Sequence, residues 1–225
     1  MRRVANVSWG KDSLAMLHVL IDRGTPPDVV VFYDTGVEFE AVYRERDRTL
    51  PLLGELGISY RELRPARPFL YDMLAKRVEH RDGTAGTGYG WCGGPCRWGT
   101  SEKTRTLERF AKEVSGTTCI GIAADETDRI FRKGNQGMRM PLVELGMTEA
   151  DCLELCYERG HTWEQDGVRL YDVLDRVSCW CCRNKNMREL DAMREHLPDY
   201  YDRLVALERA IGEPMKRRAL AERGQ

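Results

Sequence analysis

The chain has 225 residues, of which 42% are hydrophobic and 32% charged, and its formal net charge is -1. These values are typical of a globular protein with one main core and exclude a disordered or fibrous chain. The balanced charge gives no global attraction to nucleic acid or to a membrane surface, and no apolar run reaches the roughly 18 residues that span a bilayer. We expect a cytoplasmic protein, without a membrane partner, in which the eight cysteines are reduced thiols. Metal or redox chemistry is then a better expectation than a disulfide framework.

The first two thirds of the chain alternate between strand and helix patterns. A strand is predicted over 3–9, a helix over 12–23 and a buried strand over 29–33. A helix over 38–56, which Pro51 is expected to end or kink, precedes a strand over 58–63 and a short helix over 69–77. Residues 80–94 are glycine-rich and are predicted to form a loop, followed by a helix over 101–114 and a strand over 117–122. Strand-helix-strand units build parallel sheets, so we predict an α/β fold: a parallel twisted sheet with helices on both faces.

The last third changes character. Thr148 and Asp151 have the spacing of a capping box at the start of a helix over 147–159, and the residues after 183 are mostly helical in composition. We therefore predict an α/β core over 1–145 and a helical, cysteine-bearing region over 146–225 packed on that core.

The segment SWGKDS, residues 8–13, joins the first strand to the first helix. Gly10 is expected to adopt backbone angles closed to other residues and to let backbone N–H groups approach a ligand. Such donors at a helix N-terminus favour phosphate, and Ser8, Ser13 and Lys11 add hydroxyl groups and a positive charge. The alternative is that Asp12 or Ser13 only caps the helix, and the spacing alone does not separate the two.

Four segments, in order along the chain, resemble one family. SWGKDS is similar to the SGGKDS signature of the PP-loop ATP pyrophosphatases, in the adenine nucleotide alpha hydrolase-like superfamily, with Trp9 in place of the second glycine. FYDTGVEFEAVY (32–43), GIAADETDR (121–129) and MPLVELGMTEADCLEL (140–155) resemble segments of the phosphoadenosine phosphosulfate (PAPS) reductase family. Together these segments extend the resemblance over most of the chain from residue 4 to about residue 188.

The resemblance implies a PP-loop fold that holds ATP, or a related adenine nucleotide, with Mg²⁺ at the carboxyl ends of the strands. Cleavage between the α- and β-phosphates develops negative charge, which cations and backbone N–H groups neutralise. The implied catalytic residues are Lys11, Asp12, Glu126 and Arg129. The implied nucleotide-binding residues are Ser8, Gly10, Lys11, Asp12, Ser13, Asp34, Thr35, Gly36 and Gly121. Arg132 and Lys133 are further candidates for anion contacts, and a solvated charged loop is the alternative for them and for Arg129.

Four cysteines form two close pairs, CGGPC and CWCC. Pairs from distant segments can bring four thiolates to one metal site, so the predicted ligands are Cys92, Cys96, Cys179 and Cys182. The residues do not separate a [4Fe-4S] cluster from Zn²⁺, whereas the resemblance to sulfur-handling enzymes favours the cluster. Cys181 is either an alternative ligand or a spare reactive thiol. The remaining cysteines are predicted to pack in the interior: Cys119, Cys152 and Cys156.

The resemblance implies an enzyme that cleaves ATP to AMP and pyrophosphate and so activates a substrate for sulfur transfer. Reduction of PAPS or adenylyl sulfate is one alternative, although those reductases carry a catalytic cysteine in a C-terminal segment and the last cysteine here is Cys182. A nucleotide- or metal-binding module without chemistry is another, favoured by the bulky Trp9. A sulfur donor is implied, the acceptor is open between a small anion and a nucleic acid, and a homodimer is allowed.

Overall fold

The computed structural model describes residues 2–79, 83–92, 96–216 and 220. The strands are β1 (Arg2–Asn6), β2 (Val29–Tyr33), β3 (Ser59–Leu63), β4 (Arg77–Glu79), β5 (Ala85–Thr87), β6 (Gly116–Ile120), β7 (Glu164–Gln165) and β8 (Val168–Arg169). The helices are α1 (Lys11–Asp22), α2 (Glu40–Glu55), α3 (Phe69–Leu74), α4 (Lys103–Glu113), α5 (Thr127–Ile130), α6 (Pro141–Glu144), α7 (Glu149–Glu158), α8 (Leu170–Val173), α9 (Met187–His196) and α10 (Pro198–Ile211). A π-helical segment, Arg97–Glu102, precedes α4.

A four-stranded, all-parallel sheet organises the fold, with strand order β3-β2-β1-β6. In its register Val4 lies between Val29 of β2 and Thr118 of β6. All five residues of β2 are buried, as a continuous apolar strand requires when both faces are covered. Helices flank the sheet, and α1 packs against α6 and α7. The α/β class is therefore confirmed, and the arrangement is consistent with a Rossmann-like fold.

Pro51 does not end its helix, and part of the loop predicted over 80–94 is a strand. Pro51 lies inside α2, which continues to Glu55, because Val42 and Leu53 are buried on either side of it and this packing outweighs one missing hydrogen bond. Part of the predicted loop over 80–94 forms β5, which pairs antiparallel with β4. Glycines give no hydrophobic alternation, so the sequence pattern did not reveal this strand. Residues 80–82 and 93–95 lie outside the described residues.

The chain divides into two compact units, each assembled from separate segments. The first comprises residues 1–34, 40–63 and 104–163 and contains the parallel sheet. The second comprises residues 35–39, 64–103 and 164–225 and contains the β4–β5 and β7–β8 hairpins and helices α8 to α10. The chain does not pass between the units at residue 145, because α7 packs on α1 within the first unit.

Three cysteines are buried in the interior of the first unit, as predicted: Cys119, Cys152 and Cys156. The capping box is also confirmed, since the Thr148 hydroxyl accepts a hydrogen bond from the Asp151 N–H and the Asp151 carboxylate accepts one from Thr148 N–H. In the part of the chain that the structure describes, no helix combines the length and apolarity needed to cross a membrane.

Candidate functional site

The candidate nucleotide site lies where the strand order changes direction. From β1 the chain adds β2 and β3 on one side, and β6 later joins on the other. Open parallel sheets bind ligands beyond the carboxyl ends of their strands at such a point. The residue after β6, Gly121, approaches the first turn of α1 so closely that an added Cβ would lie 2.7 Å from the Asp12 carbonyl oxygen. Only a glycine lets these two backbones meet here.

The unusual backbone conformation in the loop after β1 belongs to Trp9, which corrects the expectation for Gly10. Trp9 has φ 62°, in the left-handed region, whereas Gly10 has the ordinary extended angles φ -85° and ψ 167°. The Trp9 ring is fully buried against Phe32 and Tyr60, with centroids 6.1 and 5.8 Å away. The Trp163 indole N–H donates a 2.7 Å hydrogen bond to the Trp9 carbonyl. The bulky side chain is therefore part of the core, and the hydrogen bond holds the loop backbone.

Side-chain capping does not account for the motif. Gly10 is the N-cap of α1, and no side chain caps the helix there. The Ser13 hydroxyl donates to the Gly10 carbonyl over 3.0 Å and accepts from the Ser8 N–H over 3.1 Å, while Asp12 pairs with Lys11. The two serines thus brace the loop, and the helix N-terminus keeps the dipole that favours an anion.

Charged groups from three segments meet beside this helix terminus. The Lys11 ammonium lies 2.6 Å from the Asp12 carboxylate and 3.5 Å from that of Glu149. Arg129 donates to Glu126 over 2.7 Å. One oxygen from each of Asp12, Glu126 and Glu149 lies within 4.8 Å of the other two. Burial raises the pKa of Asp12, and the Lys11 charge opposes this shift. The structure therefore brings together the four residues predicted to be catalytic.

The sequence interpretation missed Glu149. This residue begins α7, and its backbone N–H donates to the Asp125 carboxylate. In sequence it is an ordinary acidic residue in the first turn of a capped helix, a position that favours negative charge in any helix. Only the packing of α7 on α1 brings it to Lys11.

The DTG segment, residues 34–36, is divided between the two units. In the first unit the Tyr43 hydroxyl donates a 2.7 Å hydrogen bond to Asp34. In the second unit the Thr35 hydroxyl donates to Glu38 over 2.9 Å and lies 3.6 Å from the Cys179 sulfur. Gly36 has φ 75°. Thr35, predicted to border the nucleotide, therefore contacts a predicted metal ligand.

Two further residues were predicted as anion contacts, Arg132 and Lys133. The Arg132 side chain is exposed. That of Lys133 lies outside the described part of the structure. For Arg132 the solvated charged loop stays the simpler interpretation.

A series of buried hydrogen bonds holds the backbone that carries Trp163. No local sequence motif predicts it. His18 Nε2 lies 2.8 Å from His161 Nε2, and His161 Nδ1 lies 2.7 Å from the Glu45 carboxylate. The same carboxylate accepts the backbone N–H groups of Thr162 and Trp163. Burial, with His161 beside it, lowers the pKa of His18 to about 4. His18 is therefore neutral near pH 7, and the hydrogen bonds to Glu45 fix the backbone that carries Trp163.

The second unit contains a cavity of about 220 Å³ that all four predicted metal ligands line, together with Cys181. The Arg97 N–H donates to Cys92 over 3.2 Å and the Gly99 N–H to Cys96 over 3.4 Å. Burial raises the pKa of Cys179 and of Cys181. Other residues of the lining include three cations and a carboxylate: Arg176, Arg183, Lys185 and Glu189.

The lining fits a thiolate-bound group that carries negative charge. Within the described part of the chain, no three of the cysteine sulfurs lie within 4.8 Å of one another. A tetrahedral zinc, with Zn–S bonds of about 2.3 Å, requires sulfurs about 3.8 Å apart.

The Lys185 ammonium is buried and has no hydrogen-bond partner among the described residues. A buried cation without a partner is costly, so an anionic occupant suits this cavity.

No protein-family model matches the chain, and no match to a curated protein reaches significance. What can be stated from the structure is the class: an α/β protein with a parallel sheet flanked by helices, a charged cluster at the switch point of that sheet, and a separate cysteine-lined cavity. Any particular function has to be argued from these two sites.

Proposed function

We propose that the chain is a PP-loop enzyme that binds ATP with Mg²⁺ at the charged cluster and cleaves it to AMP and pyrophosphate, activating a substrate for sulfur transfer. The observation that carries this proposal is the meeting of Lys11, Asp12, Glu126 and Arg129 beside the N-terminus of α1. These residues come from two segments more than a hundred positions apart in the sequence. A shared anion and metal chemistry explains why two cations and three carboxylates would be gathered there.

The charges of the cluster suit a nucleotide that arrives with a divalent cation. Lys11 and Arg129 are paired with carboxylates, so neither is available to a phosphate until those carboxylates find another partner. Asp12, Glu126 and Glu149 would hold Mg²⁺, since carboxylates are the ligands that this ion prefers. When bound, the ion supplies charge neutralisation at the phosphates. Lys11 and Arg129 then turn to the phosphate oxygens, where negative charge develops during cleavage.

The cysteine cavity would hold a [4Fe-4S] cluster rather than zinc. No three of its sulfurs among the described residues lie within 4.8 Å of one another, as a tetrahedral zinc would require, and the cavity volume of about 220 Å³ suits a larger group. Cys92, Cys96, Cys179 and Cys182 would be the ligands. The cluster would supply redox or sulfur chemistry when bound.

Calorimetric titration of the anaerobically purified protein with ATP and Mg²⁺ tests the nucleotide site. Lys11→Met should weaken binding at least about tenfold, because a charged hydrogen bond contributes about 1.5–3 kcal/mol. Arg129→Met is the second variant and keeps the test open if Lys11→Met does not fold, since the Arg129 side chain is 40% exposed. Lys112→Met is the control, because Lys112 is an exposed lysine of the same unit. Equal affinities in all four proteins would refute the site.

Product analysis separates the reaction classes. AMP and pyrophosphate support the proposal, whereas ADP and phosphate would refute the predicted bond cleavage. Sulfite release from PAPS or adenylyl sulfate with a thiol reductant, without ATP cleavage, would favour sulfonucleotide reduction instead. Nucleotide binding with no product from any of these substrates would favour a binding module.

A further inference from the structure

Lys185 is the most unusual charged residue of the cysteine cavity. It is 2% exposed, and its ammonium has no hydrogen-bond partner among the described residues. The ammonium lies 5.2 Å from the centre of the Phe39 ring. A desolvated cation–π contact contributes about 2 kcal/mol or somewhat more, whereas burial of an ion costs several kcal/mol. The contact with Phe39 therefore does not compensate the ammonium.

The rest of the cavity lining does not compensate it either. Arg176 and Arg183 also line the cavity, but both residues are exposed, so water solvates their charges. The carboxylate of Glu189 offsets one charge and already accepts the N–H groups of Arg176 and Asn186. Protonated thiols add no negative charge to the lining. A [4Fe-4S] cluster with four thiolates carries two negative charges in its oxidised form, so such an occupant would place negative charge beside the buried Lys185 ammonium.

We propose that Lys185 is the counter-charge of the group bound by the cysteines and that it raises the reduction potential of that group. This inference rests on the iron–sulfur cluster of the proposed function. One-electron reduction adds one negative charge to the cluster, with no bond made or broken, and a buried ammonium beside it stabilises the reduced form more than the oxidised form. Because the Lys185 side chain is itself buried, salt screens its interaction with a neighbouring charge less than it would at the surface. Charges around a cluster are among the factors that set its potential.

The test is a dye-mediated redox titration of the anaerobically purified protein, with dithionite as the electron donor and iron and sulfide contents measured for each variant. Lys185→Met should lower the equilibrium constant for one-electron reduction at least tenfold, which corresponds to about 59 mV. Lys185→Arg keeps the charge and should stay within about threefold of the wild type. Arg209→Met removes an exposed cation of α10 in the same unit and should change nothing.

The outcomes separate the two proposals. An iron-loaded Lys185→Met protein with the wild-type potential would overturn the role of Lys185 and leave the cluster in place. A Lys185→Arg potential far above that of the wild type would show that the native amine is neutral, and would also overturn it. Loss of iron in Lys185→Met but not in Lys185→Arg would support it, because the charge is then needed for the cluster to bind. A colourless wild-type protein with one zinc would overturn the proposed cofactor, and this inference with it.

Discussion

Replacing Trp9 by glycine and by alanine tests whether the loop backbone is strained. Trp9 combines a fully buried ring with φ 62°, so the two substitutions share one effect and differ in another. Both remove the ring from its packing against Phe32 and Tyr60. Only glycine adopts the left-handed conformation without steric cost.

The expected order of stability follows from these two effects. Loss of a buried tryptophan ring costs about 3–5 kcal/mol, which sets the loss for Trp9→Ala. Glycine avoids the roughly 1–2 kcal/mol penalty of a left-handed residue, but loses about 0.4–1 kcal/mol through the greater freedom of the unfolded chain. Trp9→Gly should therefore be about 0.5–1 kcal/mol more stable than Trp9→Ala. Both should be less stable than the wild type.

Urea unfolding followed by far-UV circular dichroism measures this order. The matched pair is Ser13→Gly and Ser13→Ala in the adjacent helix α1, where glycine should be the less stable variant by about 0.5–1 kcal/mol. At position 9 the order should be reversed, with glycine more stable than alanine, because the backbone there has a positive φ. If Trp9→Ala is at least as stable as Trp9→Gly, the argument for strain at Trp9 is refuted.

Three further predictions concern the surroundings of the loop. Trp163→Phe leaves the Trp9 carbonyl without its 2.7 Å hydrogen bond, so the free energy of unfolding should fall by about 1–3 kcal/mol. Faster hydrogen exchange of the backbone amides over 8–11 would locate this effect in the loop. Unchanged exchange there would contradict the prediction. Gly121→Ala places a Cβ against the Asp12 backbone and should lower the free energy of unfolding by about 1–3 kcal/mol in the same denaturation assay. The control, Gly54→Ala in α2, has open space around the added Cβ and should be neutral or stabilising. Equal effects of the two substitutions would argue against the close approach at Gly121. The pKa of His18 is 6.5 in the unfolded chain and about 4 in the folded one, so the unfolded chain takes up the proton first as the pH falls. The free energy of unfolding should therefore decrease by up to about 3 kcal/mol between pH 6.5 and pH 4. His18→Gln should flatten this part of the stability profile and His196→Gln should not, and an unchanged profile in His18→Gln would remove His18 as its cause.

The sequence predicted the parallel sheet well because its signals are local. The apolar run of β2 was placed with the correct bounds, and helices between strands imply parallel pairing. The four residues expected to act together also meet, although that expectation came from the family resemblance and their function stays a proposal. The resemblance did not predict the ion pairs of this cluster, because nothing in the sequence showed that Lys11 and Arg129 are each paired with carboxylates.

The rest of the candidate site depends on packing between distant segments. Glu149 reaches Lys11 only because α7 lies against α1. His18 and His161 are 143 positions apart, and no period or motif connects them. The positive φ was expected at Gly10 because glycine has the intrinsic freedom, whereas burial of the Trp9 ring selects the neighbouring residue. Tertiary packing overrides local preference in each case.

The interleaving of the two units has a consequence for biosynthesis. Cys92 and Cys96 emerge more than eighty positions before Cys179 and Cys182, and the residues of the first unit that lie between them must be synthesised before the second unit can close. A group bound by all four thiolates would act as a cross-link over that interval, and an unfolded-state constraint of this length contributes about 4–5 kcal/mol. Residues 164–225 would therefore complete the cysteine-lined cavity only after the first unit has been synthesised.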